Sequence, residues 1–149
     1  MNQFLCLYSQ DNASRYVMRT FCFILSFVSF SVLASTDVME GDEVQSNYEA
    51  SKDSTIALIQ KRKTFYLQEP GNPKLKRKPK EITVKAGEVI YIINNEKKIT
   101  HNIYDTSDES WVLTAQEPGD IAALKFTTKG VHDLKCAIHP KMKVKLIVE

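Results

Sequence analysis

Apolar and polar residues alternate in short bursts along most of this chain, and turn signals close nearly every burst. Thr55 to Ile59 predicts a first strand and Thr64 to Leu67 a second, before Pro70-Gly71-Asn72-Pro73 breaks the pattern. Ile82 and Val84, then Val89, Tyr91 and Ile93, fall on two strands joined at Lys85-Ala86-Gly87-Glu88. Val89 to Ile93 is β-branched and aromatic throughout, so both faces of that strand are expected to be buried in a sandwich core. Ile99 to Tyr104, Ile121 to Thr127, Val131 to Cys136 and Val144 to Val148 continue the series, divided by Pro118-Gly119 and Lys129-Gly130. Trp111 to Leu113 is an apolar patch inside a long, polar and acidic connection. No stretch keeps a helical period beyond a turn or two, and no repeat is visible. Seven to eight short strands predict an all-β, Greek-key β-sandwich.

The front of the chain obeys different rules. Phe21 to Leu33 is almost unbroken apolar sequence, with Arg19 ahead of it and Val32-Leu33-Ala34 fitting a cleavage site. That describes a secretory signal peptide over residues 1–34, with Met18 as an alternative start. The apolar run is shorter than the ~18 residues of a membrane span, so no stable membrane insertion is expected. Residues 35–53 carry Asp37, Glu40, Asp42, Glu43, Glu49 and Asp53 against Lys52 alone, which predicts an acidic flexible lead-in. The folded domain is then 54–149, exported to the periplasm or the extracellular space.

Export changes what the cysteines mean. Cys6 and Cys22 precede the cleavage point, so Cys136 is the only thiol of the mature protein. A lone thiol in an oxidising compartment has no internal disulfide partner; a buried inert cysteine, an intermolecular bridge and metal ligation all stay open. Charge excludes one class of partner. The mature part holds 18 basic and 17 acidic residues, a net of +1, far from the basic footprint of a nucleic-acid protein. The balance hides a basic run over 61–80, where eight Lys and Arg face Glu69 alone. That run reads as exposed hairpin and loop, and its one physical use in binding is steering an acidic partner.

Candidate chemistry concentrates in Cys136-Ala137-Ile138-His139-Pro140-Lys141-Met142, where three metal-ligand side chains stand three residues apart. Thiolate and thioether favour reduced copper, imidazole serves both copper states, and a long axial methionine completes a blue-copper site. Such a site needs a second histidine, and His101, 35 residues before Cys136, is the candidate. Structural zinc is a poor alternative, because methionine is a poor zinc ligand. A Cys–His nucleophile would need an orienting group and an oxyanion site that the sequence does not suggest.

From about Ile82 to Val148 the chain resembles the cupredoxins, in particular their amicyanin- and plastocyanin-like branch. The resemblance rests on Val84-Lys85-Ala86-Gly87-Glu88, His101-Asn102-Ile103, Gly130 and Cys136-x2-His139-x2-Met142. It implies one type 1 copper ion held by His101, Cys136, His139 and Met142, with Asn102 and Pro140 as supporting neighbours. It also implies an electron exit at His139, ringed by Ile138 and Pro140, with Lys141 and Lys143 at the rim for partner docking. Relatives usually carry aromatics at the His132 and Leu134 positions; His132 reads as a satisfied core histidine. Lys135 stands where photosynthetic plastocyanins have a tyrosine, which argues against a photosynthetic role.

The function so implied is a monomeric electron carrier rather than an enzyme. It would shuttle single electrons between a redox donor and acceptor, such as a c-type cytochrome and a dehydrogenase or oxidase. The same ligands would also serve a periplasmic copper-binding or delivery protein.

Overall fold

The computed structural model describes residues 36–149; the signal peptide expected over 1–34, with Cys6 and Cys22, lies outside the described residues. In chain order the elements are β1 (Thr36–Glu40), α1 (Asp42–Ser51), β2 (Ile56–Lys61), β3 (Thr64–Gln68), β4 (Lys76–Arg77) and β5 (Glu81–Val84). There follow β6 (Val89–Asn94), β7 (His101–Asp105), β8 (Val112–Gln116), β9 (Ile121–Phe126), β10 (Gly130–Cys136) and β11 (His139–Val148). They form two sheets, a six-stranded one ordered β1-β9-β6-β2-β3-β4 and a five-stranded one ordered β5-β11-β10-β7-β8. The molecule is a β-sandwich, as the strand pattern implied. Eleven described strands replace the seven to eight expected.

Most of the predicted strands appear within a residue or two of their expected limits, but their connections differ. β5 and β6 do not form a hairpin. β5 pairs with β11 and β6 with β2 and β9, so Lys85 to Glu88 carries the chain from one sheet to the other. The chain crosses again between β6 and β7, β8 and β9, and β9 and β10. Alternation along each strand sends Leu58, Phe65, Ile90, Ile92, Leu124 and Phe126 from one sheet against Ile103, Leu113, Leu134, Val144 and Leu146 from the other.

The acidic lead-in is not a flexible segment. β1 pairs antiparallel with β9, and α1 lays Val44 and Tyr48, one helical turn apart, on Ala57, Tyr91 and Ala123. The rings of Tyr48 and Tyr91 lie 5.2 Å apart, and Tyr48 Oη donates to Gln68 Oε1. Asp42 and Glu43 in the first turn suit the positive end of the helix dipole. Part of the outer face of the six-stranded sheet is therefore covered. Along Val89–Ile93, Ile90 and Ile92 are buried in the sandwich core, while on the other face Tyr91 is buried against α1 and Val89 and Ile93 are half-buried, so only one face lies in the sandwich core where both were expected to.

Two further differences concern the site. The apolar patch at Trp111 opens a true strand, β8, paired with β7. The closing strand starts at His139 rather than Val144, so the predicted ligand loop is mostly strand.

Candidate metal centre

Three strands of the five-stranded sheet carry the candidate ligands to one end of the sandwich. His101 opens β7, Cys136 closes β10 and His139 opens β11. β10 and β11 turn through Ala137 and Ile138 alone, so that Cys136 pairs directly with His139. One residue earlier Lys135 pairs with Lys143, and Pro140, Lys141 and Met142 bulge from the ladder. A bulge of this kind re-aims side chains beside a functional site. The turn itself is tied down, because the Ala137 N–H donates to the Asn102 carbonyl at 2.9 Å.

The three ligand atoms converge. Cys136 Sγ lies 3.5 Å from His101 Nδ1 and 3.5 Å from His139 Nδ1, and all three atoms lie within 4.8 Å of one another. A tetrahedral centre with nitrogen at about 2.1 Å and sulfur at about 2.3 Å separates N from S by about 3.6 Å, so the spacing fits an ion held between them. The donor set of two imidazoles and one thiol suits copper. His101 is fully buried, Cys136 is 2% exposed and His139 is partly exposed. The histidine rings stand 4.9 Å apart. Burial, and then the neighbouring His139 ring, push His101 below its ordinary pKa, while Glu96 opposes them. The imidazole is thereby kept neutral, the form that can bind a metal.

Met142 is fully buried in the main core, in the cluster that also holds Cys136 and Leu134. Asn102 lies beside His101 as expected, but its parts divide the work. Its carbonyl holds the ligand turn, and its side-chain Oδ1 accepts from the Ala115 N–H at 2.8 Å. Ala115 has φ +52° in a bulge where residues 114 and 115 oppose Asn102 alone. Pro140 and Ile138 are exposed, Ile138 by 53%. Together with His139, Lys63 and Lys141 they line a shallow concavity of about 320 Å³. Lys143 is elsewhere, on the outer face of the sheet.

Several residues around the centre carried no signal in the sequence. Glu96 Oε1 lies 3.8 Å from His101 Nε2, an atom otherwise buried without a hydrogen-bond partner. The carboxylate is fixed there by the Lys63 N–H at 2.7 Å, across the β2–β3 turn. Gln116, opposite His101 in register, accepts a hydrogen bond from Gln60 Nε2. Asn94 Nδ2 donates to the carbonyls of Ile99 and Gln116, so a buried amide cluster underlies the start of β7. The one available hint was polarity at the ends of otherwise apolar strands, which equally marks a strand terminus. His132 stays away from the centre: its Nδ1 pairs with Asp105 Oδ2 at 2.6 Å, the satisfied core role expected of it.

A family model described as copper-binding proteins of the plastocyanin/azurin family matches residues 65–149. The amicyanin of Paracoccus versutus is 31% identical over 83 residues, 53% of this chain and 62% of its own length. The chain thus spans less than two thirds of that curated relative. An oxidised mutant amicyanin superposes over 76% of this chain and 98% of its own at a TM-score of 0.51 and 17% identity, a likeness of fold. A reduced mutant amicyanin covers 65% and 84% at 24% identity and a TM-score of 0.49.

Proposed function

This chain belongs to the plastocyanin/azurin family of copper-binding proteins, and from that premise we propose that it holds one copper ion and carries single electrons between larger redox proteins. The observation that carries the reading is the convergence of His101 Nδ1, Cys136 Sγ and His139 Nδ1 at one end of the sandwich. Bound copper would supply a one-electron Cu(II)/Cu(I) couple.

Cys136, His101 and His139 would hold the ion, with Met142, in the bulge, as a further donor. The strands limit how far these donors can move. Cys136 and His139 are paired with each other, Cys136 is also paired with Ile103 on β7, and the Asn102 carbonyl ties the turn between them. Donors that stay in place through a change of charge keep the cost of electron exchange low. Pro140 stiffens the segment by fixing its own φ. With copper bound, His139, whose partly exposed ring is flanked by Ile138 and Pro140, would be the route for the electron. Those apolar neighbours let a partner approach without stripping water from charges.

Delivery of copper would need an ion that leaves easily. Full burial of His101 and near-complete burial of Cys136 oppose that, so the carrier reading is preferred. Export to the periplasm completes the proposal and rests on the apolar run at Phe21 to Leu33. Mass spectrometry of the mature chain should find a new N-terminus near Ser35. Adding Cu(II) to the purified apo-protein tests the main reading. An intense visible thiolate-to-copper band is expected, and a colourless complex or one that loses copper rapidly to a chelator would overturn it.

A further inference from the structure

β11 alternates Lys141, Met142, Lys143, Val144, Lys145 and Leu146, with the apolar residues in the core and the lysines on the outer face of the five-stranded sheet. The ladder sets Lys135 of β10 directly opposite Lys143. Like charges facing each other across a ladder destabilise a sheet. Lys78 and Lys80, from the connection between β4 and β5, close the other side of this face. The result is a groove of about 520 Å³ lined by six lysines and one carboxylate, Asp133. Among the described residues none of the six lysines lies within ion-pair distance of a carboxylate. Register sets Lys145 opposite the carboxylate-bearing Asp133 and Glu81, but the other lysines of the groove face no acidic residue, and this excess of positive charge suits an anionic surface.

We propose that this lysine groove docks the acidic face of a redox-partner protein. The inference rests on the electron-carrier reading and adds the chemistry of the partner. Continuity with the exit surface selects that occupant. Lys141 lines both the groove and the concavity around His139, Ile138 and Pro140. A body seated in the groove therefore also covers the His139 edge. A partner with clustered carboxylates beside its own one-electron centre would be attracted by the lysines and arrive with that centre over His139. One electron then leaves the reduced site and the partner's centre gains it. Complementary charge at such a rim acts mainly on the rate of association and on its dependence on salt.

The test uses two probes on the full chain. A short polyglutamate peptide, titrated into the apo-protein, should shift the amide resonances of Lys78, Lys80, Lys135 and Lys141 to Lys145. The double variant Lys80→Glu/Lys135→Glu should weaken that binding about tenfold, and salt should abolish it. With the copper form, the same variant should slow oxidation by the anion hexacyanoferrate(III) about tenfold. The cationic tris(phenanthroline)cobalt(III) should not be slowed. Peptide shifts confined to the Arg62–Lys63 turn, or equal effects on both oxidants, would overturn the proposal. So would tighter binding to phosphatidylglycerol vesicles than to the peptide, which would make the groove a membrane contact. Because the peptide titration needs no copper, failure of the groove and failure of the copper site give different results. A groove that binds peptide on a protein without a blue site would overturn the redox partner alone.

Discussion

Asp105→Ala is the substitution that best tests how the ligand strands are held. Asp105 is fully buried at the end of β7 whose other end is His101, and it pairs with Leu134, two residues before Cys136. Its Oδ2 meets His132 Nδ1 at 2.6 Å, and its Oδ1 accepts the N–H groups of Ser107 at 2.8 Å and Asp133 at 3.1 Å. One carboxylate thus serves three donors, two on β10 and one in the bend after β7. Removing it leaves those donors unmet, at about 1–3 kcal/mol for each fully buried group. All three bonds are only partly buried, so water reaches the donors and the lower end of the range applies. The expected loss is about 3 kcal/mol for the three together. Asp105→Asn keeps an oxygen for the backbone donors and should cost about 1–2 kcal/mol. Guanidinium unfolding of the apo-protein measures both, with Trp111 as reporter, in the native and in a His132→Phe background. In the second background the cost of Asp105→Ala should fall by about 1–2 kcal/mol, the coupling of the pair. A cost below about 1 kcal/mol, or the same cost in both backgrounds, would refute the account of a shared network.

Replacing Cys136 with serine should abolish the visible band of the copper form, read by absorbance, since a hydroxyl cannot supply the thiolate transition. Glu96→Gln removes a negative charge facing the far nitrogen of His101; such partners make a ligand imidazole more basic and favour the more highly charged ion. Voltammetry should show the reduction potential rising by roughly 59 mV, a tenfold change for one electron, and a fall would rule the carboxylate out as a tuning group. Tyr48→Ala should lower stability in urea by about 2–3 kcal/mol while the copper spectrum stays unchanged. A segment that merely led into the domain would tolerate that change at no cost.

The parts of the molecule visible in the sequence are those written locally. Strands show as a period of two, and Ile90, Ile92, Leu124 and Leu146 fill the core where that period puts them. The centre was legible because cysteine, histidine and methionine are chemically rare and lie within one short segment. Helix α1 was not. Val44 and Tyr48 are its two buried residues in an acidic stretch, and they become a face only because the sheet offers Tyr91 and Ala123 to receive them. Tertiary contact there decides what local propensity does not. The polar support around His101 was hidden for a similar reason. Gln60 and Gln116 are 56 positions apart, and Glu96 is fixed by a turn 33 positions earlier. A buried amide and a strand-ending amide look the same in sequence until the partner strand is known.

Register also turns an ordinary pattern into a specific one. Lysine at every second position of β11 predicts no more than a solvated face. Pairing sets Lys135 against Lys143 at the residue before Cys136, and the bulge that follows carries Lys141 round to the rim of His139. The bulge that seats the ligands also joins the charged face to the exit. A substitution that moved it would therefore disturb copper binding and docking together, whereas Lys80→Glu/Lys135→Glu should separate them. That variant is expected to keep the copper spectrum of the parent and lose the preference for an anionic oxidant. Loss of both would mean that the lysines hold the strand pairing itself rather than a partner.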